Sequence, residues 1–206
     1  MSYCDWDTTD ELCLRYHDEE WGVPLHDDRG QFEYLSLEVM QCGLNWTMML
    51  HKREVIRGRA STVLTLMLWR RSAPMTSSAS WGVPGMIRSR RKVEAIINNA
   101  RCFQQVREEF GSFDAYLWGW SGRRHDPLQQ ARRRVDPGEQ RPLARVAADL
   151  KRRGFKYLGP TTVYSHLQAC GIINDHARLP ALRGRQRLGP TVEKRRYLEK
   201  DVRHYE

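Results

Sequence analysis

The apolar residues of this chain recur at helical spacing and almost nowhere alternate. Between Lys92 and Glu108, the residues Val93, Ile96, Ile97, Ala100 and Phe103 fall on one stripe. That is the i, i+3, i+4 pattern of a helix that buries one face. A second stripe runs from Gln31 to Gly43 through Phe32, Leu35, Val39 and Met40. Asp27 and Asp28 stand before it as N-cap candidates, and Gly43 follows as a stop. Leu143, Val146, Ala147 and Leu150 mark a third helix, ended by Gly154. Beyond Gly159 and Pro160, Thr161 or Thr162 can cap a fourth, with Val163, Leu167 and Cys170 inward and Gly171 as its stop. No run alternates as a strand does, and there is neither a Gly-x-Gly nucleotide loop nor an internal repeat. The expectation is an all-α fold.

Charge narrows the partners. Lys and Arg number 34 against 25 Asp and Glu, a net charge of +9, with a sequence pI near 9.6. A balance this basic suits a polyanion, most often nucleic acid, although an Arg-rich soluble enzyme would look the same. No stretch approaches the roughly 18 uninterrupted apolar residues of a membrane span. The acidic start MSYCDWDTTDELC lacks the apolar core of a secretory signal. A cytoplasmic address is therefore expected, with no membrane partner. The five cysteines are odd in number and scattered, so they form no disulfide framework.

The candidate chemistry clusters early. Cys4, Trp6, Tyr16, His17 and Trp21 lie close together in sequence. Cys4 and His17 are zinc-ligand types but too far apart for a compact finger, so a distant partner such as His176 in NDH would be needed. A buried, hydrogen-bonded core histidine fits the same pattern. Glu38 lies beside the apolar stripe of its helix. It reads either as a solvated edge charge or as a partly buried carboxylate awaiting a cationic or hydrogen-bond-donating ligand. The aromatics near it, Trp46 among them, suit core packing or a pocket for a flat base. The turn GVPGMIRSRRK, Gly82 to Lys92, leads into a basic helix start that can hold a phosphate.

Four blocks together resemble the DNA-3-methyladenine glycosylase I family. They are YHDEEWGVP (Tyr16 to Pro24), LEVMQCGLNW (Leu37 to Trp46), RRKVEAIINNAR (Arg90 to Arg101) and LKRRGFKYLGPTTVYSHLQACGIINDH (Leu150 to His176). They stand in the family's order and spacing. The resemblance implies a helix-hairpin-helix DNA glycosylase bundle with a zinc-binding subdomain formed by the two chain ends. It implies a zinc site of Cys4, His17 and His176, and Glu38 as the catalytic, base-recognising carboxylate. Tyr16 and Trp46 would wall the pocket, supported by Trp6 and Trp21. Gly43 and Leu44 would intrude into the opened duplex, and Gly85, Arg88, Arg90, Arg91 and Lys92 would grip DNA. The implied partner is double-stranded DNA carrying alkylated bases, from which 3-methyladenine is released to leave an abasic site; a monomer is the default expectation.

The chain departs from that pattern in places. The family's fourth zinc ligand would fall at Pro180, which cannot ligate, and Cys13 stands where an aromatic wall residue is expected. The organisation expected is one domain over 1–176 and a basic, poorly ordered tail over 177–206. Within that domain 58–81, without helical caps or a clean stripe, and 122–142, a run of Arg, Gln, Asp and Pro with almost no core residues, are atypical. One back-translation of GRASTVLTLMLWRRSAPMTSSASWG, read in a shifted frame, gives ARFHGFDPDAVAAFGADDVVRLLG, a capped amphipathic string similar to the missing segment. An extra base after NDHAR likewise permits HARACPRFG, with a Cys at the family's spacing. A frame-shifted origin for these stretches implies a second reading, a catalytically impaired DNA-binding relic. A small zinc-stabilised interaction module is a third, without positive support.

Overall fold

The computed structural model describes residues 9–69, 84–120 and 140–173. Eight helices and no strand occur among them: α1 (Glu11–Glu19), α2 (Asp28–Gln41), α3 (Trp46–His51), α4 (Arg53–Trp69), α5 (Arg90–Phe110), α6 (Phe113–Gly119), α7 (Gln140–Arg152) and α8 (Pro160–Ala169). The expected all-α architecture is what the described residues form. Cys4, Trp6, His176, Pro180 and the tail from 177 lie outside the described residues.

Helix α2 is the axle. It packs against α3, α4, α5, α6 and α8, so every residue from Gln31 to Met40 is buried. The one-sided stripe read from sequence understates it, because a helix surrounded on all sides has no wet face. Asp27 is its N-cap, accepting from the Gly30 N–H. In α5 the expected stripe points inward, and Phe103 stacks on Phe113 at 4.1 Å while meeting Phe32 edge-on. α8 differs from expectation at its start. Gly159 is the N-cap and Pro160 opens the helix, because proline's fixed φ and missing N–H suit the first helical position. Thr161 and Thr162 lie within the helix.

The largest difference concerns 58–81. Helix α4 runs on through Trp69, across a stretch expected to have no helical order. Its buried residues Ile56, Ala60 and Val63 sit at i, i+4 and i+7. The stripe starts before the unusual segment and carries the helix into it. Residues 70–81 lie outside the described residues, as do 122–139, while 140–142 begin α7.

Two chain regions far apart in sequence are sewn together by backbone. The Gly22 N–H donates to Gln168 O and the Leu25 N–H to Cys170 O, each at 3.0 Å. Gly171 closes this approach. It has φ +71, and a Cβ there would lie 2.4 Å from backbone atoms of Val23 and Pro24. Both the left-handed backbone and the close approach require glycine.

Candidate functional site

The polar residues buried on α2 need partners, and all but one have them. Gln31 donates to Leu25 O and to Asp114, and Ser36 donates to Phe32 O. Glu33 accepts from the Arg53 Nε at 2.6 Å. Arg53 also holds Glu20, whose second oxygen accepts from the Tyr34 hydroxyl at 2.7 Å. Glu38 is the exception. It is only 4% exposed, and no donor among the described residues reaches its carboxyl group. Desolvation pushes its pKa up to about 8, because a dry carboxylate lacks water to stabilise its charge. Of the two readings open at the sequence level, the solvated edge charge is excluded.

A run of aromatic rings packs beside α2 near Glu38. Tyr34 precedes it by one helical turn on the same face of α2. Tyr34 meets Tyr16 of α1 edge-on at 6.2 Å, and Tyr16 meets Trp46 of α3 at 5.3 Å between ring centres. Tyr16 is buried, and its hydroxyl pKa is raised, first by desolvation and then by the Glu38 charge. The indole Nε1 of Trp46 is buried without a hydrogen-bond partner among the described residues. Tyr16, Glu38 and Trp46 therefore converge, and Tyr34 joins them, a member the sequence reading did not single out. Cys13 is buried, its Sγ 3.1 Å from Thr47 Oγ1. It joins α1 to α3 where an aromatic was expected.

Trp21 is placed one step away. Its ring stacks on His17 at 5.5 Å. His17 is 1% exposed, and its Nδ1 lies 2.9 Å from Asp18 Oδ1. A carboxylate on one ring nitrogen fixes the tautomer and gives the other the character of a ligand.

At the other end of α2 the chain leaves through Cys42 into Gly43, where φ is +75. Leu44 follows, 37% exposed although apolar, and Met48 is equally exposed one helical turn later. Asn45 caps α3 through the Met48 N–H. Leu44 on the tight turn and Met48 in the first turn of α3 thus form an exposed apolar pair.

The basic turn lies beside this end. Gly85 has φ +86, and its carbonyl accepts from the Lys52 Nζ at 2.7 Å. Arg88, Arg90 and Arg91 are exposed, with Arg90 paired to Glu94 one turn on. Lys92 is different. Family resemblance groups it with the gripping residues, but its ammonium turns inward and donates to Met40 O at 2.7 Å and Cys42 O at 2.5 Å. The last carbonyls of α2 lack intrahelical partners, and Lys92 supplies one from another helix. Sequence spacing carries no sign of this.

The helical frame that holds this carboxyl, which has no partner among the described residues, is shared with solved all-α DNA glycosylases. The 3-methyladenine DNA glycosylase I of Staphylococcus aureus superposes with a TM-score of 0.71 and 30% identity, covering 88% of this chain and 96% of that one. A crystal structure of a 3-methyladenine DNA glycosylase I variant in complex with 3-methyladenine matches with a TM-score of 0.70 at 29% identity, covering 88% and 97%. The DNA-3-methyladenine glycosylase 1 of Escherichia coli is 34% identical over 179 residues, 85% of this chain and 94% of the relative. The chain belongs to the methyladenine glycosylase family, whose family model matches residues 6–181.

Proposed function

We propose that this chain is a DNA repair N-glycosylase that releases 3-methyladenine from alkylated double-stranded DNA and leaves an abasic site. The observation that carries the reading is Glu38, a buried carboxyl with no protein partner among the described residues, beside Tyr16 and Trp46. The target glycosidic bond is hidden in a stacked duplex, so the nucleotide must be flipped out at a cost of a few kcal/mol. Leu44 is suited to fill the gap, and Arg88 and Arg91 to hold the flanking phosphates.

Methylation at N3 gives the adenine a positive charge. Tyr16 and Trp46 favour a flat cation over neutral adenine through their ring faces. Glu38 gives up its proton to solvent as the cation arrives and pairs with it as the carboxylate, an interaction strengthened by the dry surroundings. The bond from C1′ to the base then breaks, with its electrons leaving on the base, which departs neutral. Water adds to C1′ and loses a proton. The departing base needs little acid catalysis because it is already cationic, and no lysine nucleophile is involved.

The resident metal belongs to the same proposal. Cys4, His17 and His176 would hold a zinc ion that staples the chain ends. Support comes from the Asp18–His17 pair and from the backbone bonds that bring residues 22–25 beside 168–170. Two nitrogens and one sulfur are a donor set zinc accepts. The protein works as a cytoplasmic monomer in this reading; no described helix is long and apolar enough to cross a membrane.

The test is chromatography of bases released from methylated duplex DNA. Free 3-methyladenine, with strands intact until alkali is added, is the expected result. Duplex binding without base release would instead support the impaired relic.

A further inference from the structure

We infer that Lys92 is a positioning residue, which fixes the C-terminus of α2 and so couples the DNA-holding turn to the wedge and the base pocket. Lys92 lies in the first turn of α5, directly after Arg90 and Arg91, and its ammonium spans to Met40 O and Cys42 O of α2. Those carbonyls immediately precede Gly43 and Leu44, and Cys42 lies one helical turn beyond Glu38. A cation at a helix C-terminus satisfies unpaired carbonyls and opposes the negative end of the helix dipole. Here the cation comes from the helix that the basic turn opens. One side chain therefore ties the segment that meets phosphate to the segment that meets the gap in the duplex. Leu44 is further held by its N–H to Gln41 O at 2.6 Å, so the wedge has both a local and a remote anchor.

This inference rests on the glycosylase reading, and the wild-type protein run in parallel separates the two. No base release by wild type would overturn that reading. The decisive comparison is Lys92→Met, which keeps length and removes the charge and both donors. It is measured by single-turnover release of 3-methyladenine at saturating protein, and by the salt dependence of undamaged-duplex binding. The expected result is a roughly tenfold or greater fall in release rate, with the log–log salt slope unchanged. A Lys92 that grips phosphate would instead flatten the slope by about 0.9 and leave the saturated rate intact, which would overturn the inference. Lys92→Arg, which retains charge and donors, should restore most of the rate.

A 2-aminopurine placed beside the flipping site reports unstacking directly. At saturation its fluorescence rise should be smaller in Lys92→Met than in wild type, and equal rises would overturn the role. Should Lys92→Met fail to fold, Lys92→Gln supplies the same two readouts in a milder form. Wild-type values for both in that variant would also overturn the inference.

Discussion

Two groups of carboxylates are buried around the same helix, and the protein treats them in opposite ways. Glu20 and Glu33 are neutralised within the fold. Arg53 reaches both, the Tyr34 hydroxyl donates to Glu20, and the guanidinium also lies 5.4 Å from the centre of the Tyr34 ring. Glu38, five residues after Glu33 on α2, is equally dry and has no such partner among the described residues. The first group joins the end of α1 to α2 and α4. The second joins nothing, and its burial is unfavourable to the fold whenever it is charged. A carboxyl kept in that condition costs stability, and a cationic ligand can recover what the fold does not.

The largest effect is expected from breaking the paired group. Arg53→Met leaves two buried carboxylates without their cation, which should destabilise the protein by about 3–5 kcal/mol. Denaturant titration measures it. A loss below about 1 kcal/mol would mean that water already solvates Glu20 and Glu33, erasing the contrast with Glu38.

At Glu38 the signs should reverse. Glu38→Gln keeps the shape and removes the charge, so release of 3-methyladenine should fall roughly ten- to a hundredfold. The same change should stabilise the fold at neutral pH. A carboxyl whose folded pKa is raised from 4.5 to about 8 imposes no penalty below pH 4.5. The penalty grows between pH 4.5 and 8 and is complete above that. Allowing for the unpaired amide of the glutamine, the gain at pH 7 should be about 1–2 kcal/mol, turning into a loss of similar size by pH 4, where the charge penalty is gone and the amide cost remains. Denaturation of the variant and wild type at both pH values checks it. Equal stabilities at pH 7 would place Glu38 in a wetter or better-paired site.

Little of this contrast can be read from the sequence, for physical reasons. The α5 stripe and the glycines at 43, 154 and 171 are legible because helical periodicity and positive φ are local properties. Glu38 is recognisable as a candidate but not as buried, since its dryness comes from helices packing all around α2. Arg53, Glu20 and Glu33 carry no local signal at all, because their pairing joins three elements across 20 to 33 positions of chain. Helix α4 is missed for a related reason. Its polar stretch after Gly58 has no clean stripe, and the burial of Ile56, Ala60 and Val63 in the core decides its conformation. The Lys92 cap on α2 spans some 50 positions and looks, in sequence, like one more cation in a basic run.

The smallest effect belongs to the exposed cations. Arg88→Ala combined with Arg91→Ala should flatten the log–log salt dependence of duplex binding by up to about 0.9 for each phosphate no longer held. The fold and the Glu38 titration should stay unchanged. An unaltered slope would remove these two residues from the DNA-holding surface.

The central claim is that Glu38 is a buried carboxyl without a partner among the described residues, and its own titration tests this most directly. In protein labelled with 13C at glutamate carboxyls, one resonance should titrate near pH 8 and be missing from Glu38→Gln. That resonance titrating in the ordinary carboxylate range, about pH 4 to 5, would contradict the account, because a carboxylate already satisfied by water or protein has no special claim on a cationic base.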